Sequence, residues 1–294
     1  MPVPLEELFH YGHLRGVYTR EALLLWVWLP FGLVLLVVRL LLFLLLSLLL
    51  LVLPAAALPL SPRLVRTGLF LLFGIRIHVR SGAGRLAAAV GEHGGRLVLA
   101  CNHVTAFDAV PVQALVSTRT LIDAHFFRHV SATFHRLVGA VRVDRTRGRS
   151  VVRAAVLDAL RAGDDDGRPL LVFPEGWDTS GERAVLRYNK FTLGLGRPVV
   201  PVAMRARVPL GVPLRPGCLG VTLATELLWL FFSPGLVWEL DILPVLPPVG
   251  ESGAAAQAAR AQEATAAVLG VEASPFTNRD VHRWRRERVP GCAF

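Results

Sequence analysis

From residue 23 to residue 60 the chain is apolar almost without a break, interrupted by Arg39 and punctuated by Pro30, Pro54 and Pro59. A single spanning helix needs ~20 residues, so this length holds either one tilted span with excess or a bent hairpin. Arg15 and Arg20 flank one side of the run, Arg63 and Arg66 the other. Positive flanks prefer the cytoplasmic side, and two such flanks favour the hairpin. Arg39 is expected to snorkel or to sit at a bend. A signal peptide does not fit: the run is too long and too far from Met1, and no cleavage pattern follows it. The chain therefore divides into a cytosolic segment (1–20), a membrane-inserted hairpin (21–62), an α/β domain (63–250) and a C-terminal helix with a basic tail (251–294).

Hydrophobic residues make up 53% of the 294 and the mean hydropathy is +0.50. That is too apolar for an ordinary soluble enzyme, yet long enough for one catalytic domain beside the membrane element. The net charge of +10 is almost all arginine, Lys190 being the only lysine. A basic, apolar chain suits an anionic membrane surface. Nucleic acid is not an expected partner, because no helix-turn-helix, zinc or RNA-recognition signature is present. Cys101, Cys218 and Cys292 lie far apart without CxxC spacing, which supports neither a disulfide framework nor a zinc site and fits a reducing, cytosol-facing compartment.

Beyond the apolar run, short strand-like stretches alternate with helical ones. Strands are expected at 97–100, 121–124, 141–143, 170–173 and 199–203, with helices at 110–116 and 150–162, the latter closed by an acidic turn at 163–167. This alternation predicts an α/β fold with a mostly parallel central sheet and flanking helices. A second apolar region covers 221–249. Its stretch 227–232 reads as a domain-closing element or a shallow membrane contact, the latter favoured because Trp229 and Trp238 suit an interface. Residues 252–269 form an Ala-rich helix. The basic, Trp-containing stretch 279–288 reads equally as a solvated tail and as an anchor on anionic headgroups.

The chemistry is concentrated in 97–112, reading LVLACNHVTAFDAVPV. His103 and Asp108, at ~100° per residue, would point roughly 140° apart on one helix. They meet only if His103 lies in a turn before a helix and Asp108 reaches back. An aspartate bonded to one imidazole nitrogen fixes the tautomer and leaves the other free to take a proton, giving a general base that needs no serine or cysteine nucleophile. A satisfied His–Asp pair without catalytic duty has the same spacing. His125 and His129 have the i, i+4 spacing of metal ligands but lack a metalloprotease glutamate, and the aromatics between them point to an interfacial helix, so no metal site is expected. Asp164–Asp166 reads as a solvated turn. Arg142 and Arg147 fit phosphate ligands and ordinary surface charges equally.

Further stretches end at strand termini: Gly139–Arg145 (GAVRVDR), Phe173–Gly176 (FPEG) and Val200–Val202 (VPV). In an open α/β sheet such ends converge on one crevice, which would bring His103, Arg145 and Glu175 together. The order N-H-x-x-x-x-D, G-x-x-x-x-x-R, F-P-E-G, V-P-V over roughly residues 65–250 resembles the glycerophospholipid acyltransferase (PlsC-type) family. The resemblance implies that His103, oriented by Asp108, deprotonates the hydroxyl of a lysophospholipid or glycerol phosphate, which attacks acyl-CoA. It also implies that Asn102, Arg145, Glu175 and Gly176 bind substrate, with Arg145 on the acceptor's phosphate, and that acyl-CoA is a co-substrate with no bound cofactor. Within the family, the wording NHVTAFD, TSGERAVLRYNKF and TELLWLFFSPGLVWELDILPV is most similar to a lipid-droplet and endoplasmic-reticulum branch. Location at either membrane, with the catalytic domain facing the cytosol, follows from that likeness. That branch's ubiquitin-related modules would lie beyond the basic tail, so ubiquitin machinery is not an expected partner.

One departure stands out. The family commonly continues the third block as E-G-T-R, whereas Trp177 and Asp178 follow Gly176 here. An acid where a cation is expected repels phosphate by about 1 kcal/mol or more. Arg183, Arg187 or Lys190 are candidates to compensate. A bulkier headgroup, or a non-catalytic scaffold that keeps the fold, is the alternative this departure favours.

Overall fold

The structure, a computed structural model, describes residues 3–15, 20–52, 62–124, 139–250 and 252–288. Its centre is β2 (Val98–Cys101), whose residues are all fully buried. A parallel strand covered on both faces reads as a continuous apolar run, which is why 97–100 showed no alternation. Around it lie β1 (Ile75–Ser81), β3 (Arg119–Asp123), β4 (Ala140–Val143), β5 (Leu170–Val172), β7 (Val199–Arg207) and β8 (Leu236–Ile242), forming a seven-stranded sheet of order β1-β8-β7-β2-β5-β3-β4. Pairing is parallel except between β7 and β8. The expected α/β sheet is present, extended by β1 and β8, which the sequence reading did not separate from neighbouring apolar residues. The VPV block lies within β7 rather than after it.

Two layers of helices cover the sheet. On one side α2 (Pro62–Phe73), α3 (Ala83–His93), α4 (Ala109–Gln113) and, further along the chain, a short apolar helix bury Leu86, Ala89 and Val112 against Leu99, Val200 and Trp238. On the other, α5 (Arg149–Asp166) packs Val156, Ala159 and Leu160 against Val98, Ala100 and Val172. Helix α5 runs on through the expected acidic turn, because Asp164 pairs with Arg197 and Asp166 with Arg119 and Arg168. Gly167, left-handed at φ 71°, then ends it.

Residues 3–15 and 252–288, read from sequence as flanking segments, pack onto the domain. The early segment hydrogen-bonds the chain at 213–219 (Arg15 N–H to Pro213 O, Arg215 N–H to His13 O, Leu219 N–H to His10 O). Its Leu5, Leu8 and Phe9 share a cluster with Val281 of the C-terminal helix. A two-stranded ribbon joins β6 (Ala184–Val185) to β9 (Glu272–Ala273).

The apolar run forms α1 (Arg20–Val52), a continuous 33-residue helix that passes through Pro30. Its part Leu23–Leu49 is long and apolar enough to cross a membrane by length and composition. One face, with Trp26, Val27, Val34, Leu41 and Leu45, is exposed, while the other lies on α6 (Leu223–Phe232). Gly32 permits the close crossing: a β-carbon there would stand 2.5 Å from the Phe232 ring. The last carbonyls of α6 have no partners within that helix and find them on α1. Arg39 donates to the carbonyls of Leu230, Phe231 and Ser233, and Trp28 Nε1 donates to Phe232 O. Arg39 is thus neither snorkelling nor at a bend; it is buried as the C-terminal cap of another helix, where a cation also meets the negative end of the dipole. Phe43 and Phe73 both contact Phe231, so the chain leaves the domain beyond Phe43 and α2 returns it to the same spot. Any reversal falls at 53–61, outside the described residues.

Arg39→Leu is expected to destabilise the folded protein in detergent by roughly 2–3 kcal/mol, since it leaves buried carbonyls unpaired. Thermal unfolding should show it, with Trp28→Phe losing less, about 1 kcal/mol.

Candidate active site

Strands β2 and β5 are parallel neighbours, in register from Val98 with Leu170 to Ala100 with Val172. The chain leaves each at the same edge, so His103 and Glu175 follow side by side. Asn102, fully buried, continues β2 with its side chain: its amide donates to Met204 O at 3.0 Å and its oxygen accepts from Met204 N–H at 2.6 Å. Both hydrogen-bonding ends are used on β7, so its visible task is to fix the turn's starting point.

The turn then closes around Asp108, the residue before α4. The buried carboxylate accepts from His103 Nδ1 at 2.9 Å, from the N–H groups of Val104 and Thr105, from Thr105 Oγ1 at 2.7 Å and from Trp238 Nε1 at 3.3 Å. Every one of these partners donates, so Nδ1 carries the proton and Nε2 keeps a lone pair. No hydrogen bond among the described residues engages Nε2, and 23% of the His103 side chain remains open. Phe173 stacks on the imidazole, centroids 4.5 Å apart, and holds its plane. Burial pulls the imidazole pKa down, but the bond and charge of Asp108, with the charges of Asp178 and Glu175, outweigh it and raise it above the ordinary histidine value.

Glu175 is a brace. One oxygen accepts His103 N–H at 2.7 Å and the other Leu186 N–H at 2.8 Å. Burial pushes its carboxyl up to about 8 against the pull of those amides. Gly176 adopts φ 68°, and a β-carbon there would press on Asn278 Nδ2 at 2.9 Å, so a side chain is excluded twice over. Arg145 begins a 3-10 turn after β4, which is separated from β2 by β3 and β5, about 14 Å at ~4.8 Å per strand. Its side chain, and the stretch 125–138 with His125 and His129, lie outside the described residues. Arg147 is exposed and pairs with Asp144 at the same sheet edge.

Two residues escaped the sequence reading. Trp238, expected at a membrane interface, is fully buried on β8 with its N–H on Asp108; an apolar run gives no sign of which tryptophan turns inward. Trp229 is also turned from the interface, stacking on His13 at 5.2 Å. The second is Arg285, buried on α8 (Asn278–Arg288), whose guanidinium lies 5.5 Å from the Trp177 ring. His282 meets that ring edge-on at 4.7 Å. The helix thus lies over the 176–178 loop, and Arg285 lowers the Asp178 carboxyl that burial, the larger effect, raises. Of the sequence candidates for this role, Arg183 is bound to Glu7 instead. Cys101 is fully buried, with its thiol pushed up by burial and by Asp108, which does not suit a nucleophile. A cleft of about 370 Å³ lies elsewhere, over Glu6, His10, Glu182 and Arg183, and no site residue lines it. The hydrogen-bonded geometry, rather than cavity size, marks His103.

Glu226, near His13 on α6, is also pushed up to about 8 by burial. An acid raised in the fold from its ordinary 4.5 contributes stability below that value and loses it as pH rises through about 8. Unfolding temperature should therefore fall from pH 6.5 to 8, the raised His103 acting in the same sense; below 6.5 the lowered His10 and His13 act in the opposite one. Glu226→Gln keeps an oxygen for Cys218 N–H and should make the decline shallower. Trp238→Phe is expected to lose about 1–2 kcal/mol in the same measurement.

Residues 81–206 match the acyltransferase family model, a span that contains all four sequence blocks. The lipid droplet-regulating VLDL assembly factor AUP1 of Xenopus tropicalis is 27% identical over 278 residues, covering 92% of this chain and 63% of that protein. Its homologue in Caenorhabditis elegans is 27% identical over 245 residues, covering 82% of this chain and 56% of that protein. The chain therefore spans only 56% and 63% of these relatives' lengths. The 1-acyl-sn-glycerophosphate (LPA) acyltransferase PlsC of Thermotoga maritima superposes with a TM-score of 0.49 at 16% identity, over 84% of this chain and 94% of its own. Residues 81–206 are thus similar to the acyltransferase family, and the chain as a whole is similar in sequence to AUP1, the ancient ubiquitous protein.

Proposed function

We propose that the chain transfers an acyl group from acyl-CoA to the hydroxyl of a lysophospholipid or glycerol-phosphate-type acceptor, with His103 as general base. The observation that carries this reading is the His103–Asp108 pair, with Nδ1 tied to a carboxylate and Nε2 open. Nε2 takes the hydroxyl proton while the oxygen attacks the thioester carbon. The carbon–sulfur bond breaks, and the imidazolium returns its proton to the departing thiolate. Nothing in this sequence needs a covalent enzyme intermediate. Glu175 keeps the His103 backbone in place, and Asp178 adds negative charge that favours the imidazolium formed midway.

The anchor fits a membrane surface on which such substrates reside. Arg39 and the α1 face around it are occupied by the domain, which leaves the opposite α1 face, the part beyond Phe43 and the returning α2 to meet lipid. At 1.5 Å per residue, each arm reaches about 14–17 Å, half of a ~30 Å hydrocarbon core. That supports a hairpin seated in one leaflet or a droplet monolayer, at the endoplasmic reticulum or lipid droplets, with the domain on the cytosolic side.

The second reading is a non-catalytic lipid-droplet protein, favoured by the similarity to lipid droplet-regulating relatives and by the helix α8 lying over the Trp177–Asp178 loop. Acyl transfer from labelled acyl-CoA to a panel of lysophospholipids, in membranes carrying the protein, separates the two. His103→Ala should lower the rate by ~10²–10⁴-fold. Equal background signals from wild type and mutant, with both inserted and folded, leave the second reading.

A base must be neutral to act, so the rate should rise with pH through a value above 6.5, the ordinary histidine figure. Asp178→Asn removes a charge that holds His103 up and should move this acid limb to lower pH.

A further inference from the structure

We infer that the catalytic domain itself enters the lipid, through the outward face of α6 and the loop 208–214, beside the anchor rather than hanging from it. This rests on insertion of α1 and not on catalysis.

The loop after β7 reads VPLGVPL, without a charge. Val212 and Leu214 are buried with Leu25, Trp28 and Phe232, which roots the loop against α1. Leu210 is driven the other way. It is 73% exposed and holds φ 64°, the one non-glycine with positive φ among the described residues. A bulky apolar side chain in that conformation, largely in water, gains little from the fold. Its neighbour Gly211 lies against Leu24 of α1, 3.7 Å from where a β-carbon would stand, so the loop tip continues the apolar face of α1.

Helix α6 makes the same surface from another element. Its sequence LATELLWLFF holds a single charge, Glu226, and that residue turns inward to accept Cys218 N–H. Outward it shows Ala224 and Leu228, the latter 47% exposed. A helix apolar on every side belongs inside a protein or against lipid, and this one has an uncovered side. It is fastened to α1 by Arg39 and Trp28, so wherever that part of α1 goes, α6 goes too. Single exposed leucines need no explanation; here α1, α6 and this loop pack together through Leu25, Trp28, Val212, Leu214, Trp229 and Phe232, so the exposed Leu210 and Leu228 stand on elements rooted in the anchor, and that continuity makes the occupant the same lipid surface.

The test uses the full chain with Cys292→Ser, in which the remaining Cys101 and Cys218 are buried. An environment-sensitive fluorophore is attached in turn through Leu210→Cys, Leu228→Cys, Leu41→Cys on α1 and Val268→Cys. Val268, exposed on α7 (Ala254–Leu269), belongs to the opposite layer of the sheet. The protein is placed in phosphatidylcholine vesicles with brominated acyl chains and on triacylglycerol droplets coated with the same lipid. Labels at 210 and 228 should be blue-shifted and quenched several-fold more than the label at 268, in the range of the label at 41. Quenching at 41 alone overturns the proposal while leaving the anchor intact. Blue-shifted but unquenched labels at 210 and 228, as a second protein copy over the patch would give, overturn it as well. Absence of quenching at 41 removes both.

Discussion

The buried carboxylate of Asp108 is the point on which the site's geometry rests. A carboxylate out of water must be surrounded by donors, and here those donors come from the turn backbone, a threonine hydroxyl, the imidazole and a tryptophan on β8. The same ion therefore shapes the loop that presents His103 and chooses which imidazole nitrogen holds the proton. Glu175 acts on the backbone in parallel, joining the end of β5 to the His103 amide and to Leu186. Two buried acids, each satisfied by its neighbours, hold the His103 ring in place without engaging its Nε2, which is how a site is kept preorganised.

A second dependence links the domain to the long apolar helix α1. Helix ends leave carbonyls without partners, and α6 resolves this with side chains borrowed from α1. A guanidinium in an apolar helix finds its partners in the same contact, so one unfavourable group answers another. Helix α1 is consequently part of the folded domain's hydrogen bonding, not a tether joined to it by a linker.

Much of this was legible in the sequence, and the limits have physical causes. The strands around the site announced themselves as short apolar runs ending in polar blocks, and the spacing of His103 and Asp108 required the turn that is present. Apolar runs, however, do not say which residue faces which layer. That is why the sequence does not separate β1 and β8 from their neighbours, and why Trp238 reads as an interfacial residue although its N–H is needed inside. Partners distant in sequence left no local mark: Arg39 with the end of α6, and Arg285 with Trp177, meet only through tertiary packing. The acidic end of α5 reads from sequence as a solvated turn because ion pairs with Arg119 and Arg197 cannot be foreseen from the run itself. Arg145 stayed a proposal, its strand lying two strands beyond β5.

The hydrogen bond from Trp238 to Asp108 has a consequence for what counts as the unit of this fold. The span that matches the acyltransferase family model stops at residue 206, before β8 begins. Yet β8 completes the shell of the orienting aspartate, and α8, later still, covers the loop after Glu175. The recognisable motif and the physical machine therefore have different borders. Grafting or excising the recognised span alone would carry every block of the signature and leave behind the parts that keep it in shape.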